Sequence, residues 1–238
     1  MGNHFFRFKQ FIVNQSMAAM KVGVDSVLLG AWVDVSHVSR VLDVGTGTGL
    51  LALMMAQRIP ETYIDAVEID EEACAQARRN VEESPWNKHI TVTCGDFRKY
   101  EYPTGINYDL VICNPPFFIR SFKSEDKKRN LARHNDTLSH EDLLSASMKL
   151  LSSDGIVAVV LPATEARLFL ETAASHGLYP KRQLQIQSYP SKPPHRLLLE
   201  LSKTNGSVES SILSIENHER TDFTDAYKEM TREFYVKF

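Results

Sequence analysis

The stretch Val41-Leu42-Asp43-Val44-Gly45-Thr46-Gly47-Thr48-Gly49 decides the fold that this sequence predicts. Its apolar beginning is typical of a short buried strand, and the apolar residues from 50 to 58 are typical of a helix. The glycines at 45, 47 and 49 allow a tight turn between the two elements and let a ligand approach the backbone closely. The pattern therefore predicts a strand-turn-helix unit whose turn binds a nucleotide-like ligand.

Short apolar strands alternate with helical segments on both sides of this unit. The predicted strands cover residues 40–44, 63–68, 90–94, 110–113, 156–161, 179–187 and 197–202, and the predicted helices cover residues 50–58, 71–83, 141–151 and 165–176. This alternation predicts an α/β fold, in which a doubly wound, mainly parallel, Rossmann-like sheet of seven core strands carries helices on both faces. No helix separates the last two strands, so we expect the last one to be antiparallel.

We expect a single domain over residues 1–238, because neither a repeat nor a shift in composition divides the chain. Residues 1–38 are predicted to form an N-terminal hairpin and helix, residues 39–203 the catalytic core, and residues 204–238 a C-terminal extension. Within the extension we expect a loop to residue 211, a strand over 212–216 and a helix over 224–234. Polar residues that precede helical patterns are predicted as helix caps: Asp25, Asp70 and Ser139.

The formal net charge of −3 argues against a general electrostatic affinity for nucleic acid. We therefore expect no DNA partner, and any contact with RNA must come from local basic patches. The densest group of basic residues lies between Arg120 and Arg133, with smaller groups at 181–182 and 192–196. Charge alone leaves it open whether these groups bind phosphate or are ordinary solvated surface.

Three cysteines, Cys74, Cys94 and Cys113, are widely spaced and lie in apolar runs. We expect them to be buried small hydrophobic residues in a reducing compartment rather than disulfide partners or zinc ligands, and we predict no metal site. The most apolar stretch, residues 156–163, is too short to cross a bilayer, and the first ten residues do not resemble a secretory leader. These features predict a cytoplasmic protein without a membrane partner.

Two residues of the glycine loop indicate which nucleotide-like ligand it takes. A dinucleotide fingerprint needs Gly or Ala at position 50, where this chain has Leu50. Asp43 would repel a pyrophosphate beside the loop but would attract an ammonium group. S-adenosylmethionine carries such an ammonium group, so we predict it as the cofactor, held by Asp43 and by Gly45, Gly47 and Gly49; NAD is the weaker alternative.

Two further carboxylates follow the next strands. Glu68 ends the second strand of the core, where an acidic side chain can accept hydrogen bonds from both ribose hydroxyls of a nucleoside. Asp96 follows the third strand, where it can accept from the exocyclic amine of the cofactor adenine. The alternatives are a solvated carboxylate for Glu68 and an ordinary turn residue for Asp96.

The tetrad Asn114-Pro115-Pro116-Phe117 directly follows the fourth strand of the core. Two successive prolines hold the backbone extended and leave the Pro115 carbonyl without a local partner. An NH2 group on a flat ring can donate one hydrogen to the Asn114 side-chain oxygen and one to this carbonyl, which orients the nitrogen toward the cofactor. Phe117 can stack on the ring. The tetrad predicts methylation of a planar nitrogen, with Asn114, Pro115 and Phe117 as catalytic residues and Asn114 also beside the cofactor.

The order and spacing of these motifs resemble those of the class I S-adenosylmethionine-dependent methyltransferases of amino groups on bases or amides. Within that superfamily, the leading segment Lys21 to Trp32, the run Asn114 to Phe118, Ala132-Arg133-His134 and Thr137-Leu138-Ser139 resemble the bacterial tRNA adenosine N6-methyltransferases that modify the adenosine beside the anticodon of valine tRNA. The resemblance covers roughly residues 5 to 203.

This resemblance implies tRNA as the substrate and adenosine N6 as the methyl acceptor. We expect residues within and after the tetrad to contact the RNA or the target base: Pro116, Phe118, Lys127, Lys128, Arg129 and Arg133. No obligate protein partner is evident.

Other functions remain open from the motifs alone. Methyltransferases of rRNA guanine N2 and of protein glutamine share the Asn-Pro-Pro-aromatic tetrad, so only the leading segment favours adenosine. A dehydrogenase, or a nucleotide-sensing or RNA-binding module that kept the fold without activity, is the alternative outside this chemistry.

Overall fold

Apolar side chains pack on both faces of the strands at the centre of the molecule. The computed structural model describes residues 4–17, 20–99, 105–115, 138–218 and 222–238. The strands are β1 (Phe5–Arg7), β2 (Ile12–Asn14), β3 (Arg40–Val44), β4 (Tyr63–Glu68), β5 (Ile90–Cys94), β6 (Tyr108–Cys113), β7 (Leu151–Pro162), β8 (Tyr179–Gln187), β9 (Arg196–Ser202) and β10 (Glu209–Ser214). The helices are α1 (Val24–Trp32), α2 (Leu50–Arg58), α3 (Glu71–Glu82), α4 (His140–Leu150), α5 (Ala166–Ser175) and α6 (Asp225–Thr231), and a short 3-10 helix covers Phe97–Lys99.

The main sheet has the order β10-β8-β9-β7-β6-β3-β4-β5 and is parallel except for β9, which runs antiparallel to both of its neighbours. This confirms the predicted doubly wound, mainly parallel sheet and its antiparallel last core strand. The sheet differs from the prediction in having eight strands, because β10 of the C-terminal extension pairs in parallel with β8.

Helices cover both faces of the sheet, and each face has its own apolar layer. One layer includes α1, α2 and α6 together with the N-terminal hairpin β1-β2. The other layer includes α4 and α5. Strands that are buried on both faces consist of nearly continuous apolar residues, so the core strands could be predicted from the sequence.

The predicted caps have different outcomes. Asp70 caps α3 by accepting a hydrogen bond from the Ala73 amide, and Ser139 caps α4 by accepting from the Asp142 amide, as predicted. The prediction for Asp25 is wrong: Gly23 occupies the cap position of α1, and Asp25 lies in the first turn. Its carboxylate instead pairs with the Arg196 guanidinium at 2.8 Å, an interaction 171 residues apart that local sequence patterns do not encode.

The expectation for two of the cysteines is also wrong. Cys74 on α3 and Cys94 at the end of β5 form a disulfide, with their Cα atoms 5.7 Å apart. The pairing arises because α3 packs against β5, which brings residues 20 positions apart into contact. Cys113 is a free, buried thiol, as predicted.

The two ends of the chain meet on the α1-α2 face. Phe8 forms an isolated bridge with Tyr235, and the Lys9 ammonium donates to the main-chain carbonyls of Arg232 and Phe238. The predicted strand at 212–216 begins earlier, at Glu209, and the predicted helix at 224–234 ends earlier, at Thr231. Within the described ranges, no helix is long and apolar enough to cross a membrane.

Candidate active site

The candidate site lies at the carboxyl ends of the four parallel strands β3, β4, β5 and β6. The chain leaves β3 for β4 and β5 on one side and then returns to β6 on the other side. The reversal places a crevice between the ends of β3 and β6, which is where doubly wound sheets bind ligands. The glycine loop follows β3 and the tetrad follows β6, so the topology brings the two motifs together.

The glycine loop has the backbone conformation that its sequence demands. Gly45, Gly47 and Gly49 all have positive φ angles, of 68°, 58° and 82°. A Cβ atom added at Gly45 or Gly47 would meet no atom within 4 Å, so the loop borders open space. Side chains there would occupy the space that a ligand needs, and α2 begins directly after Gly49 with its amide groups directed toward this region.

Asp43 lies beneath the loop rather than on its surface. Its side chain is fully buried, and Oδ2 accepts hydrogen bonds from the Thr46 hydroxyl and from the Ala52 amide. Oδ1 is buried without a hydrogen-bond partner among the residues that the structure describes. The pKa of Asp43 is raised to about 7, with burial as the largest cause. The nearby Glu68 carboxylate contributes to the rise, while the Thr46 and Ala52 hydrogen bonds oppose it.

Glu68 links the loop to the end of the neighbouring strand. One carboxylate oxygen accepts from the Gly47 amide at 2.7 Å, and the other accepts from the Asp70 amide at 3.0 Å. Each oxygen keeps a second lone pair, so the residue can hold the loop and still accept from ribose hydroxyls. The direct ribose contact stays a prediction.

Asp96 lies beside a small cleft at the ends of β3, β4 and β5. The lining residues are Val44, Gly45, Val67, Ile69, Gly95, Asp96, Phe97, Arg98 and Leu138. The Arg98 guanidinium forms a bidentate ion pair with the Asp96 carboxylate, with N–O distances of 2.8 and 2.7 Å. These hydrogen bonds hold the pKa of Asp96 below its ordinary value. A carboxylate that stays ionised and faces a cleft can still accept from an amine, and this contact also stays a prediction.

Two apolar residues of this cleft were missed by the sequence reasoning. Ile69 follows Glu68 and is 48% exposed, although it is a large aliphatic residue. Phe97 follows Asp96 and is buried. A flat base binds well between apolar side chains. Both residues directly follow a predicted carboxylate, and this position in the sequence could have indicated their place in the cleft.

Asn114 directly follows β6, and only one end of its side-chain amide has a hydrogen-bond partner among the described residues. Its Nδ2 donates to the Ser26 hydroxyl of α1 at 2.7 Å. Its Oδ1 is buried and has no hydrogen-bond partner within the described ranges. An unsatisfied buried acceptor costs roughly 1–3 kcal/mol, so this oxygen is suited to a donor that arrives with the substrate. Ser26 is a further residue that sequence reasoning missed, since it lies 88 positions from its partner.

Pro115, the next residue of the tetrad, is buried. The remaining predicted catalytic and substrate residues lie outside the described residues: Pro116, Phe117, Phe118, Lys127, Lys128, Arg129 and Arg133. Their predicted roles stay predictions.

A cavity larger than the cleft beside Asp96 lies elsewhere. It has a volume of about 640 Å³ and is lined by residues of 222–238, among them Asp222, Phe223 and Lys237. None of its lining residues belongs to the glycine loop or to a strand end. Size alone therefore does not identify the site. The candidate site is identified by three features at the strand ends: the open space at the loop, the carboxylates and the unsatisfied Asn114 oxygen.

These residues fit S-adenosylmethionine. The open space beside Gly45 and Gly47 admits a ligand close to the backbone, Glu68 can accept from hydroxyls, and the cleft beside Ile69 and Asp96 has the apolar and acceptor groups that an adenine needs. Among the described residues, no group of three or more His, Cys, Asp or Glu side chains is placed to hold a metal ion.

Comparisons with known proteins agree with this geometry. Residues 18–166 match the model of the family described as "Methyltransferase small domain". The chain is 45% identical over its full length, and over the full length of the relative, to the tRNA1(Val) (adenine(37)-N6)-methyltransferase of Bacteroides fragilis, and it is equally identical to the protein of that name from Parabacteroides distasonis. A solved structure of a predicted O-methyltransferase from Agrobacterium tumefaciens superposes with a TM-score of 0.67 at 18% identity, covering 88% of this chain and 96% of that one, which supports the fold.

Proposed function

Because this chain belongs to the family of the tRNA1(Val) (adenine(37)-N6)-methyltransferases, we propose that it methylates N6 of adenosine 37, beside the anticodon of valine tRNA. It is an S-adenosylmethionine-dependent methyltransferase of this family. We propose that the acceptor is tRNA and that the enzyme acts in the cytoplasm, where tRNA is found.

The observation that carries the proposal is the buried Oδ1 of Asn114, which has no partner among the described residues and lies at the end of β6, next to the glycine loop at the end of β3. An exocyclic NH2 group is the donor that this oxygen and the Pro115 carbonyl are suited to receive. Two acceptors on the two N–H bonds leave the nitrogen lone pair perpendicular to them, which directs it toward the cofactor side of the crevice.

The protein contributes mainly alignment and electrostatics. Bound S-adenosylmethionine supplies an electrophilic methyl group on a sulfonium. The lone pair of adenine N6 is delocalised into the ring, so the acceptors of Asn114 and Pro115 favour the geometry in which this pair becomes available. Phe117 stacks on the extruded base and offsets part of the cost of removing it from its stack.

Other residues of the site would hold the cofactor. In this proposal the backbone of Gly45, Gly47 and Gly49 borders the amino-acid part, Glu68 accepts from the ribose, and Asp96 accepts from the adenine amine. Asp43 supports the loop through Thr46 and Ala52, and its carboxylate, when ionised, would add negative potential that favours the cofactor ammonium.

The basic residues after the tetrad supply contacts with the RNA backbone in this proposal. Lys127, Lys128, Arg129 and Arg133 carry the positive charge that a protein of net charge −3 otherwise lacks. We expect the affinity for tRNA to fall steeply as the salt concentration rises, because phosphate contacts release counterions.

A labelling experiment tests the substrate. The protein is incubated with radiolabelled S-adenosylmethionine and total RNA from a strain that lacks its gene, and the methylated nucleoside and its parent RNA are identified after digestion. We expect N6-methyladenosine in valine tRNA, and no label in a transcript whose adenosine 37 is replaced by guanosine. Label in rRNA guanine, or in a protein glutamine when extract is supplied, would contradict the proposal.

Replacing Asn114 tests the site. We expect Asn114→Ala to lower the single-turnover methylation rate roughly 100-fold or more, because one of the two acceptors for the amine is lost. Binding of S-adenosylmethionine, measured by calorimetry, should stay within about threefold of the unchanged protein, a difference below 1 kcal/mol. Asn87→Ala is the matched control, since Asn87 is exposed and its amide donates to the Glu82 carbonyl, away from the glycine loop. An unchanged rate in Asn114→Ala would refute the assigned role.

A further inference from the structure

The contact between Ser26 and Asn114 joins the leading segment of the chain to the predicted acceptor site. Ser26 lies in the first turn of α1, and its Oγ accepts a hydrogen bond from Asn114 Nδ2 at 2.7 Å. The other end of the same amide, Oδ1, is left buried and without a partner in the described part of the chain. The hydroxyl therefore holds the amide in the orientation that leaves Oδ1 for the substrate.

The orientation of this amide matters because its two ends have opposite hydrogen-bonding character. With Oδ1 toward the crevice, Asn114 offers an acceptor to an incoming NH2 group. With the amide rotated by half a turn, Nδ2 would face the same group, and two donors would meet. Only the orientation that Ser26 stabilises supports the proposed chemistry.

Helix α1 is held at both ends, so Ser26 has a defined position. At its beginning, the Asp25 carboxylate pairs with the Arg196 guanidinium at 2.8 Å. At its end, the Arg58 guanidinium donates to the carbonyls of Gly30 and Val33, at 3.0 and 2.7 Å. A partner on a helix that is anchored in this way loses little further entropy when it orients Asn114.

We propose that Ser26 is a positioning residue for the methyl transfer, which anchors the Asn114 amide with Oδ1 available to the target amine. This inference rests on the proposed function of Asn114 and extends it to a residue of the leading segment. Ser26 acts through Asn114, so its loss affects the reaction rate and leaves the cofactor site unchanged.

Two substitutions at position 26 test this. Ser26→Ala removes the hydroxyl, so the Asn114 amide is no longer held by this hydrogen bond. We expect the single-turnover methylation rate of valine tRNA to fall roughly tenfold, while the Kd for S-adenosylmethionine changes less than about twofold. Ser26→Thr keeps a hydroxyl at the same position and is expected to retain the rate within about twofold. Ser36→Ala is the matched control, because the Ser36 hydroxyl binds Asp34 instead.

The outcomes separate this inference from the proposed function. A normal rate in Ser26→Ala, together with a strong loss in Asn114→Ala, would overturn the positioning role alone. A normal rate in Asn114→Ala would overturn the proposed function of the tetrad, and the inference with it. If Ser26→Thr fails to restore the rate, or if Ser26→Ala weakens cofactor binding as much as it slows the reaction, the residue is a packing element and the inference is wrong.

Discussion

At the residue scale, the carboxylates of the site have structural tasks that their sequence positions do not reveal. The sequence assigns Asp43 and Glu68 to the cofactor. In the structure, Asp43 holds Thr46 and Ala52, and Glu68 holds the Gly47 amide. A tight glycine loop leaves backbone and hydroxyl donors pointing inward, and buried acceptors must satisfy them.

The pKa of Asp43 leads to a prediction about stability. Burial raises it from 3.8 to about 7, so between these pH values the folded protein binds a proton that the unfolded chain releases. The resulting stabilisation is complete below about pH 4 and is lost as the pH rises through about 7. Relative to Asp43→Asn, whose amide does not titrate, we expect the free energy of unfolding to fall by roughly 3 kcal/mol between pH 4 and 7 without cofactor.

Urea unfolding at several pH values measures this difference directly. The Asp43→Asn protein serves as the reference, because both proteins share every other titrating group. Parallel pH profiles for the two proteins would show that the Asp43 carboxyl stays ionised when buried.

At the element scale, α3 ties the glycine loop to the N-terminal hairpin. Asn80 is buried on this helix, and its Nδ2 donates to the Thr48 carbonyl at 2.8 Å and to the Asn14 carbonyl at 2.9 Å. Its Oδ1 accepts from the Asn14 amide. One side chain thus satisfies main-chain groups of two separate segments.

We expect Asn80→Ala to lower the free energy of unfolding by about 2–3 kcal/mol, because it leaves buried main-chain groups of Thr48 and Asn14 without partners. Chemical denaturation measures this loss. Asn87→Ala, which removes one exposed hydrogen bond a few residues further along the chain, should change the stability by less than about 0.5 kcal/mol. Equal effects of the two substitutions would contradict the role given to Asn80.

At the scale of the whole molecule, the C-terminal extension packs into the core and forms part of it. Its strand β10 extends the sheet, and Tyr227 and Phe234 are buried in the same apolar layer as α1, α2 and Phe8. The helix that carries Ser26 is therefore covered by residues from the opposite end of the chain.

Phe234→Ala should lower the melting temperature by roughly 10 °C, because truncation of a buried aromatic side chain costs about 3–5 kcal/mol. Thermal unfolding followed by circular dichroism measures the shift. Val236→Ala is the control, since Val236 is 57% exposed in the same segment. A melting temperature that both substitutions leave unchanged would show that the extension does not stabilise the core.

The sequence alone predicted the sheet, its antiparallel core strand, the glycine loop and the tetrad, because these depend on local patterns. Buried parallel strands are continuous apolar runs, a left-handed turn requires glycine, and consecutive prolines limit the backbone wherever they occur. The motifs and their order were also enough to indicate the cofactor and the family.

Contacts between distant parts of the chain were decided only by the tertiary structure. The Ser26–Asn114 hydrogen bond, the Asp25–Arg196 ion pair and the Cys74–Cys94 disulfide join residues 88, 171 and 20 positions apart. None of them follows from periodicity or spacing, since each depends on which elements the sheet order and helix packing bring together. The sequence therefore indicated which groups the candidate site contains, and the packing of α1 and α3 against the strands decided how the described ones are oriented.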